Sequence, residues 1–358
     1  MPKRRAKGEG TIFKEKSGLW VAEISLPSGK RKRKRSKYQK VVKDWLLTQR
    51  EALKQGLLVQ DDQATVSQLL DKFMESVRLT LQPKTIDSYD YLIESHIKPE
   101  IGHIKLVYLH PDHLQTLYNK KLESGLSKRT VQYIHAVTRR ALNMAVKWGL
   151  IYRNPSDVVN PPKPKRKAPV MLSDGEVSKL LESVEHHRYF PIYVLAIGTG
   201  MREGEILGLL HENLNLEQGT VSVTQTVSNI RGKTYIGVPK SDKSRRTIAL
   251  PEYAIDVLRT IEPGNGLIFT TSSGKPISPR NLLRHFHQSL EKAGLPRVTF
   301  HSLRHFHASY LLKRNIHPKI VQERLGHSTI SLTLDTYSHI TPDIQKEAAE
   351  KLNDIFKA

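Results

Sequence analysis

Four short stretches in the C-terminal half carry residue types that can hold a phosphate and move a proton. In the first, Gly198-Thr199-Gly200-Met201-Arg202-Glu203-Gly204-Glu205, two glycines permit a tight turn ahead of a helix. That puts Arg202 in a first helical turn, where free backbone N–H groups and the helix dipole favour an anion; the same pattern also serves as a plain structural cap. The second, Pro239-Lys240-Ser241-Asp242-Lys243-Ser244-Arg245-Arg246, reads as a cationic hairpin tip that projects a lysine beyond its sheet, or as a solvated turn. In the third, a helix sets His301 and Arg304 one turn apart on one face, a pair able to grip a phosphate and shuttle a proton. His301 and His305 also stand at a metal-ligand spacing, but no third ligand accompanies them, and His211-Glu212 has Asn215 where a second zinc histidine is required. The fourth is Leu325-Gly326-His327, with Gly326 ending a helix and Tyr337 following ten residues after His327. Taken alone, such a tyrosine is as readily a packing residue as a nucleophile.

The composition narrows what these groups act on. A formal charge of +22 over 358 residues makes a polyanion the natural partner, and duplex DNA offers about one negative charge per ~1.7 Å of axis. With no cysteine there is no disulfide, no thiolate nucleophile and no cysteine-ligated zinc. No apolar run reaches the roughly 18 residues that spanning a membrane needs, and the basic start, Met1 to Lys7, runs into Gly8 and Glu9 instead of an apolar stretch. The expectation is a protein that stays in the cytoplasm, nucleoid-associated when bound to DNA, with no membrane partner.

The elements that must position the four stretches are legible from turn signals and periodicity. Residues 10–14, 19–26 and 30–36 read as three strands joined by turns at Ser17-Gly18 and Pro27-Ser28-Gly29, with Trp20, Ala22 and Ile24 on one face. The third strand, Lys30-Arg31-Lys32-Arg33-Lys34-Arg35, carries charge on both faces; it fits beside a polyanion, or else the run is a tail. A helix over 39–57 packs on this sheet. A capping box at Thr65–Gln68 opens an all-helical region with further helices over 84–97, 112–123 and 127–148. Residues 154–169 combine prolines with Lys163, Lys165, Arg166 and Lys167 into a stiff basic connector. Beyond a second capping box at Ser173–Glu176 come mixed helices and strands, the strands near 219–227, 234–238 and 247–250. The expected division is 1–60 (sheet plus helix), 64–153 (helical), 154–168 (linker) and 169–358 (α+β, mainly helical, with a tail).

An Arg with Glu three residues on, a turn lysine, His-x-x-Arg, Leu-Gly-His and a tyrosine, in that order across one domain, resemble the tyrosine recombinase (phage integrase) family from about residue 169 onward. By looser patterns the helical region is similar to that family's core-binding domain, and the basic sheet to the arm-site-binding domain of phage and conjugative-transposon integrases. The resemblance implies a multidomain site-specific recombinase in which Tyr337 attacks a scissile phosphodiester and forms a 3′-phosphotyrosyl bond. Arg202 and Arg304 clamp the phosphate, Lys240 (with Lys243 as the alternative register) protonates the leaving 5′ oxygen, His301 takes the tyrosine proton, His327 donates to the phosphate, and Glu205 supports the arrangement. No metal, ATP or other cofactor is called for. Double-stranded DNA at attachment sites is the partner, contacted by Lys30 to Arg35 and by Lys163, Lys165, Arg166 and Lys167, with a host DNA-bending protein and an excisionase as accessory factors. The tail from Asp343, with Ile344, Ala348, Leu352 and Ile355 on one stripe, docks on a neighbour in a DNA-bound tetramer or packs on its own domain. A type IB topoisomerase-like enzyme and a non-catalytic DNA-binding regulator are the rival readings; a metal-dependent transposase needs grouped carboxylates that the sequence lacks.

Overall fold

The computed structural model of the protein describes residues 9–25, 31–54, 63–164, 170–238, 245–327, 329, 330 and 334. The chain divides into two compact units, Met1–Arg166 and Lys167–Ala358. In the first, β1 (Thr11–Lys14), β2 (Trp20–Ser25) and β3 (Arg31–Ser36) form an antiparallel sheet in the order β1-β2-β3. The alternation in β2 holds: Trp20, Ala22 and Ile24 pack against Val42, Trp45 and Leu46 of α1 (Gln39–Lys54), and Leu57 lies outside the described residues. The basic strand carries charge on both faces, and on its arginine face that charge is met within the sheet. Glu23 stands opposite Arg33 and accepts from Arg31 at 2.8 Å and Arg33 at 2.5 Å, while Arg35 pairs with Glu15 at 3.1 Å. Burial opposes ionisation of Glu23, but Arg33 and Arg31 outweigh it and hold the carboxyl below its ordinary pKa.

The helical part of this unit opens with α2 (Val66–Val77), capped by Thr65 and Gln68 as the sequence predicts. The predicted helix over 84–97 is α3 (Pro83–Leu92) continued through a widened π turn, Ile93–Ile97, into α4 (Lys98–Ile101). Pro99 offers no N–H and its ring collides with the carbonyl a turn back, so the helix widens ahead of it. Then follow α5 (Pro111–Glu123) and α6 (Lys128–Lys147), the latter capped by Ser127; Phe73, Ile97, Leu114, Tyr118 and Ile134 are fully buried in the shared core.

The second unit is α+β and mainly helical. It comprises α7 (Asp174–Val184), α8 (Phe190–Thr199), α9 (Glu203–Leu207), β4 (Leu214–Asn215), β5 (Thr220–Val223), β6 (Thr226–Ile230), β7 (Lys233–Gly237), β8 (Arg246–Ala249), α10 (Glu252–Arg259), α11 (Pro279–Lys292), α12 (His301–Lys313) and α13 (Pro318–Leu325). The region read as one strand over 219–227 breaks at Thr224-Gln225, where the Gln225 side chain donates to the Gly208 carbonyl at 3.0 Å. Beyond that break β6 pairs with β7 alone, whereas β5 sits between β4 and β8. The strands on either side of Lys240 and Lys243 therefore belong to different sheets, and the predicted hairpin between them is not formed among the described residues. Lys240 and Lys243 themselves lie outside the described residues.

Candidate active site

Helix α8 is apolar on nearly all sides and buried, and it ends in Gly200 in the left-handed region at φ 66°. A Cβ at Gly200 would lie 2.7 Å from His307 Cδ2 and 2.8 Å from Leu325 Cδ2, so only glycine lets this turn approach α12 and α13. The turn is then fastened by Arg304. Its Nη1 donates to the Gly200 carbonyl at 2.7 Å and its Nη2 to the Leu325 carbonyl at 2.6 Å. At 2% exposure this guanidinium needs such partners, because an uncompensated buried charge is expensive. The two bonds converge three segments: the turn leading to Arg202, the start of α12 with His301, and the end of α13 leading to His327.

Arg202 is the residue before α9, with extended backbone (φ −72°, ψ 149°), and not part of its first turn. Its N–H donates to Glu205 Oε2 at 2.9 Å and its Nη1 to Oε1 at 2.7 Å. The backbone anion cradle expected there is thus occupied by the protein's own carboxylate, and the arginine side chain, 39% exposed, is the part that faces solvent. Glu205 also accepts from Arg246 Nη2 at 3.0 Å. Burial of Glu205 favours protonation, but Arg246 first and Arg202 next outweigh it, so its pKa lies below the ordinary carboxylate value.

The two predicted histidines share this cationic neighbourhood. His301 is the first residue of α12, and its ring meets His305 edge-on at 4.8 Å between centroids. Desolvation, then His305, Arg304 and Arg202, push its pKa down to about 4. His327 follows the left-handed Gly326 (φ 66°), and its backbone is held by Gln322, whose Nε2 donates to the His327 carbonyl at 2.8 Å. Burial, with Arg304, Arg202, His301 and His305 after it, lowers the His327 pKa to about 3. Both imidazoles are therefore neutral at pH 7 without DNA. The result is two fixed guanidiniums beside two neutral imidazoles, an arrangement that can hold a monoanion while one ring accepts a proton and the other donates one.

Four predicted residues thus come together: Arg202, His301, Arg304 and His327, with Glu205 beneath Arg202. Tyr337, Lys240, Lys30, Lys165, Arg166, Lys167 and the tail from Asp343 lie outside the described residues, while Lys32, Lys34 and the exposed Lys163 belong to the first unit. Among the described residues no group of three or more His, Asp or Glu could hold a metal. Sequence reasoning missed Arg246. Its signal was available: β-strand alternation puts Arg246 on the same face as Ile248, which is 1% exposed, and a cation on a core-facing position requires a partner.

The Phage integrase family matches residues 171–343, and the phage integrase N-terminal SAM-like domain matches residues 65–122. A "tyrosine recombinase XerC-like" protein of Caldanaerobacter subterraneus subsp. tengcongensis is 30% identical over 338 residues, covering 85% of this chain and 86% of the relative. The chain belongs to the tyrosine recombinases. It is accordingly a site-specific DNA-recombining enzyme. The recombinase shares its fold with the Tn1549 transposon integrase in complex with transposon right end DNA (TM-score 0.71, 23% identity, 81% of this chain and 100% of that one). It also shares it with a lambda integrase tetramer bound to a Holliday junction (TM-score 0.62, 18% identity, 93% of this chain and 96% of that one).

Proposed function

We propose that the recombinase is the integrase of a mobile element, inserting and excising it through a 3′-phosphotyrosyl intermediate on Tyr337. The observation that carries this reading is the convergence of Arg202, Arg304, His301 and His327 through the two carbonyl bonds of Arg304. The phenolic oxygen of Tyr337 attacks the scissile phosphorus, the bond to the 5′ oxygen breaks, and a 5′ hydroxyl departs. His301 takes the phenolic proton, a step open to a ring that is neutral at pH 7. Lys240 supplies the proton for the departing 5′ oxygen. Arg202 offers donors to the non-bridging oxygens, Arg304 adds its charge, and His327 donates an N–H; fixed charge of this kind stabilises the transition state because it needs no reorganisation. One phosphodiester is exchanged for another, so bond energy is conserved and the reverse attack by a partner's 5′ hydroxyl reseals the DNA without ATP.

In the same reading, residues 1–60 bind arm-type DNA sites, 64–153 bind the core site, 154–168 are the basic linker, and 169–358 carry the chemistry. Lys30 to Arg35 contact phosphates, with Arg31, Arg33 and Arg35 exchanging their glutamate partners for DNA; Lys163, Lys165, Arg166 and Lys167 do so from the linker. The enzyme works in the bacterial cytoplasm as a tetramer on DNA joined by its tails, with a host DNA-bending protein and an excisionase as accessory factors. The test separates chemistry from binding. Arg202→Ala and Arg304→Ala are expected to cut covalent adduct formation on element-end DNA by about 10²–10³-fold with little loss of affinity. Parallel losses in cleavage and affinity would reduce both arginines to phosphate-positioning groups.

A further inference from the structure

Both carboxylate oxygens of Glu205 are engaged, and their partners come from distant parts of the chain. Oε1 accepts from Arg202 Nη1 at 2.7 Å; Oε2 accepts from the Arg202 N–H at 2.9 Å and from Arg246 Nη2 at 3.0 Å. The Glu205 and Arg246 side chains are 4% and 8% exposed, so of the three charges only Arg202 reaches solvent. Arg246, the first residue of β8, is itself held by a bond from Nε to the Arg324 carbonyl at 2.6 Å. The next carbonyl, Leu325, accepts from Arg304. Two guanidiniums therefore grip successive carbonyls at the last turn of α13, where intrahelical partners run out and the dipole favours cations.

We propose that Arg246 is a positioning residue for recombination: by sharing the Glu205 carboxylate it leaves Arg202 with charge and donors to present to the scissile phosphate. This role presupposes Arg202 as the phosphate clamp proposed above. Two guanidiniums and one carboxylate carry a net charge of +1; without Arg246 the carboxylate and Arg202 cancel to zero. A buried carboxylate with Arg202 as its sole cationic partner would compete with the phosphodiester for the same N–H groups in a low-dielectric setting, where such competition is strong. Glu205 with Arg246 instead forms a neutral, buried base on which Arg202 rests with its outer edge toward solvent.

A purely structural Arg246 would also affect stability, so the measurement compares single-turnover adduct formation with affinity and thermal unfolding in the full-length protein. The probe is a labelled, nicked duplex carrying the joined ends of the element that encodes the chain. Arg246→Met is expected to slow adduct formation by about 10- to 100-fold with affinity retained. Arg246→Lys should recover part of the rate, because an ammonium restores the charge but not the fork geometry. In a Glu205→Gln background the carboxylate is gone, so adding Arg246→Met should cost little further rate; this pair of variants also avoids stranding a buried carboxylate if the single variant fails to fold. A large further loss in that background, or a wild-type rate for Arg246→Met while Arg202→Ala is inactive, overturns the role of Arg246 and leaves the clamp reading intact. Arg202→Ala cleaving normally would instead remove the clamp and this role together.

Discussion

Two side chains one turn apart on α12 meet burial in opposite ways. Arg304 keeps its charge by bonding the carbonyls of Gly200 and Leu325, whereas His307, at 6% exposure, donates from Nδ1 to the Ile197 carbonyl at 2.8 Å and stays neutral. Burial, only partly offset by that bond and reinforced by Arg324 and Arg304, lowers the His307 pKa to about 4 from 6.5. Below pH 6.5 the unfolded chain takes up a proton that the folded protein refuses, so this contribution is fully present above about 6.5 and is lost as pH falls toward 4, on the order of 3 kcal/mol in all. The unfolding midpoint of the wild type should fall across that window, and His307→Asn, which keeps a donor but does not titrate, should show a shallower fall; superimposable pH slopes would contradict the assignment. Arg202, His301, Arg304 and His327 stood out as candidates because each lies in a short local motif and the order of those motifs resembles the tyrosine recombinases. Arg246 stayed hidden because the partner, Glu205, lies 41 residues away, and only the tertiary fold brings the two to 3.0 Å.

At the scale of elements, capping boxes at Thr65 and Ser173 and the extent of α6 were readable, since each is settled within one helix. The strands were not. Val221, Val223 and Val227 continue one alternating pattern, so nothing local announces that the chain leaves one sheet at Thr224-Gln225 and starts another hairpin. Close approach explains the departure: a Cβ on Gly204 would fall 2.4 Å from the Val227 carbonyl, so β6 runs directly against α9, beside Arg202. The lysine-bearing stretch then joins β7 to β8, and β8 begins at Arg246, within the network that holds Arg202. Lys240→Ala is expected to abolish strand cleavage with affinity retained, and Lys243→Ala to remain active. An inactive Lys243→Ala beside an active Lys240→Ala, measured on the same nicked duplex, would move the general-acid role to Lys243.

For the molecule as a whole, a formal charge of +22 sets the terms of binding more than any single contact. If six to ten phosphates are neutralised, affinity should fall by about 10³–10⁵-fold between 50 and 200 mM salt, read by fluorescence anisotropy; a shallow slope would mean that the basic strand and linker stay off the backbone. The order of sheet, helical region and α+β region was legible from turn residues and from the change in hydrophobic period, because those signals are written along the chain. The pairing of the basic strand with Glu23 and Glu15 was not, being a matter of cross-strand register. One covalent bond, between Tyr337 and a 3′ phosphate, is the decisive product. Wild-type protein incubated with labelled element-end DNA and quenched in SDS should yield a protein–DNA adduct that carries a 3′ phosphate link and leaves a free 5′ hydroxyl. Tyr337→Phe should bind the same DNA and yield no adduct, whereas an undiminished adduct from that variant would contradict the account.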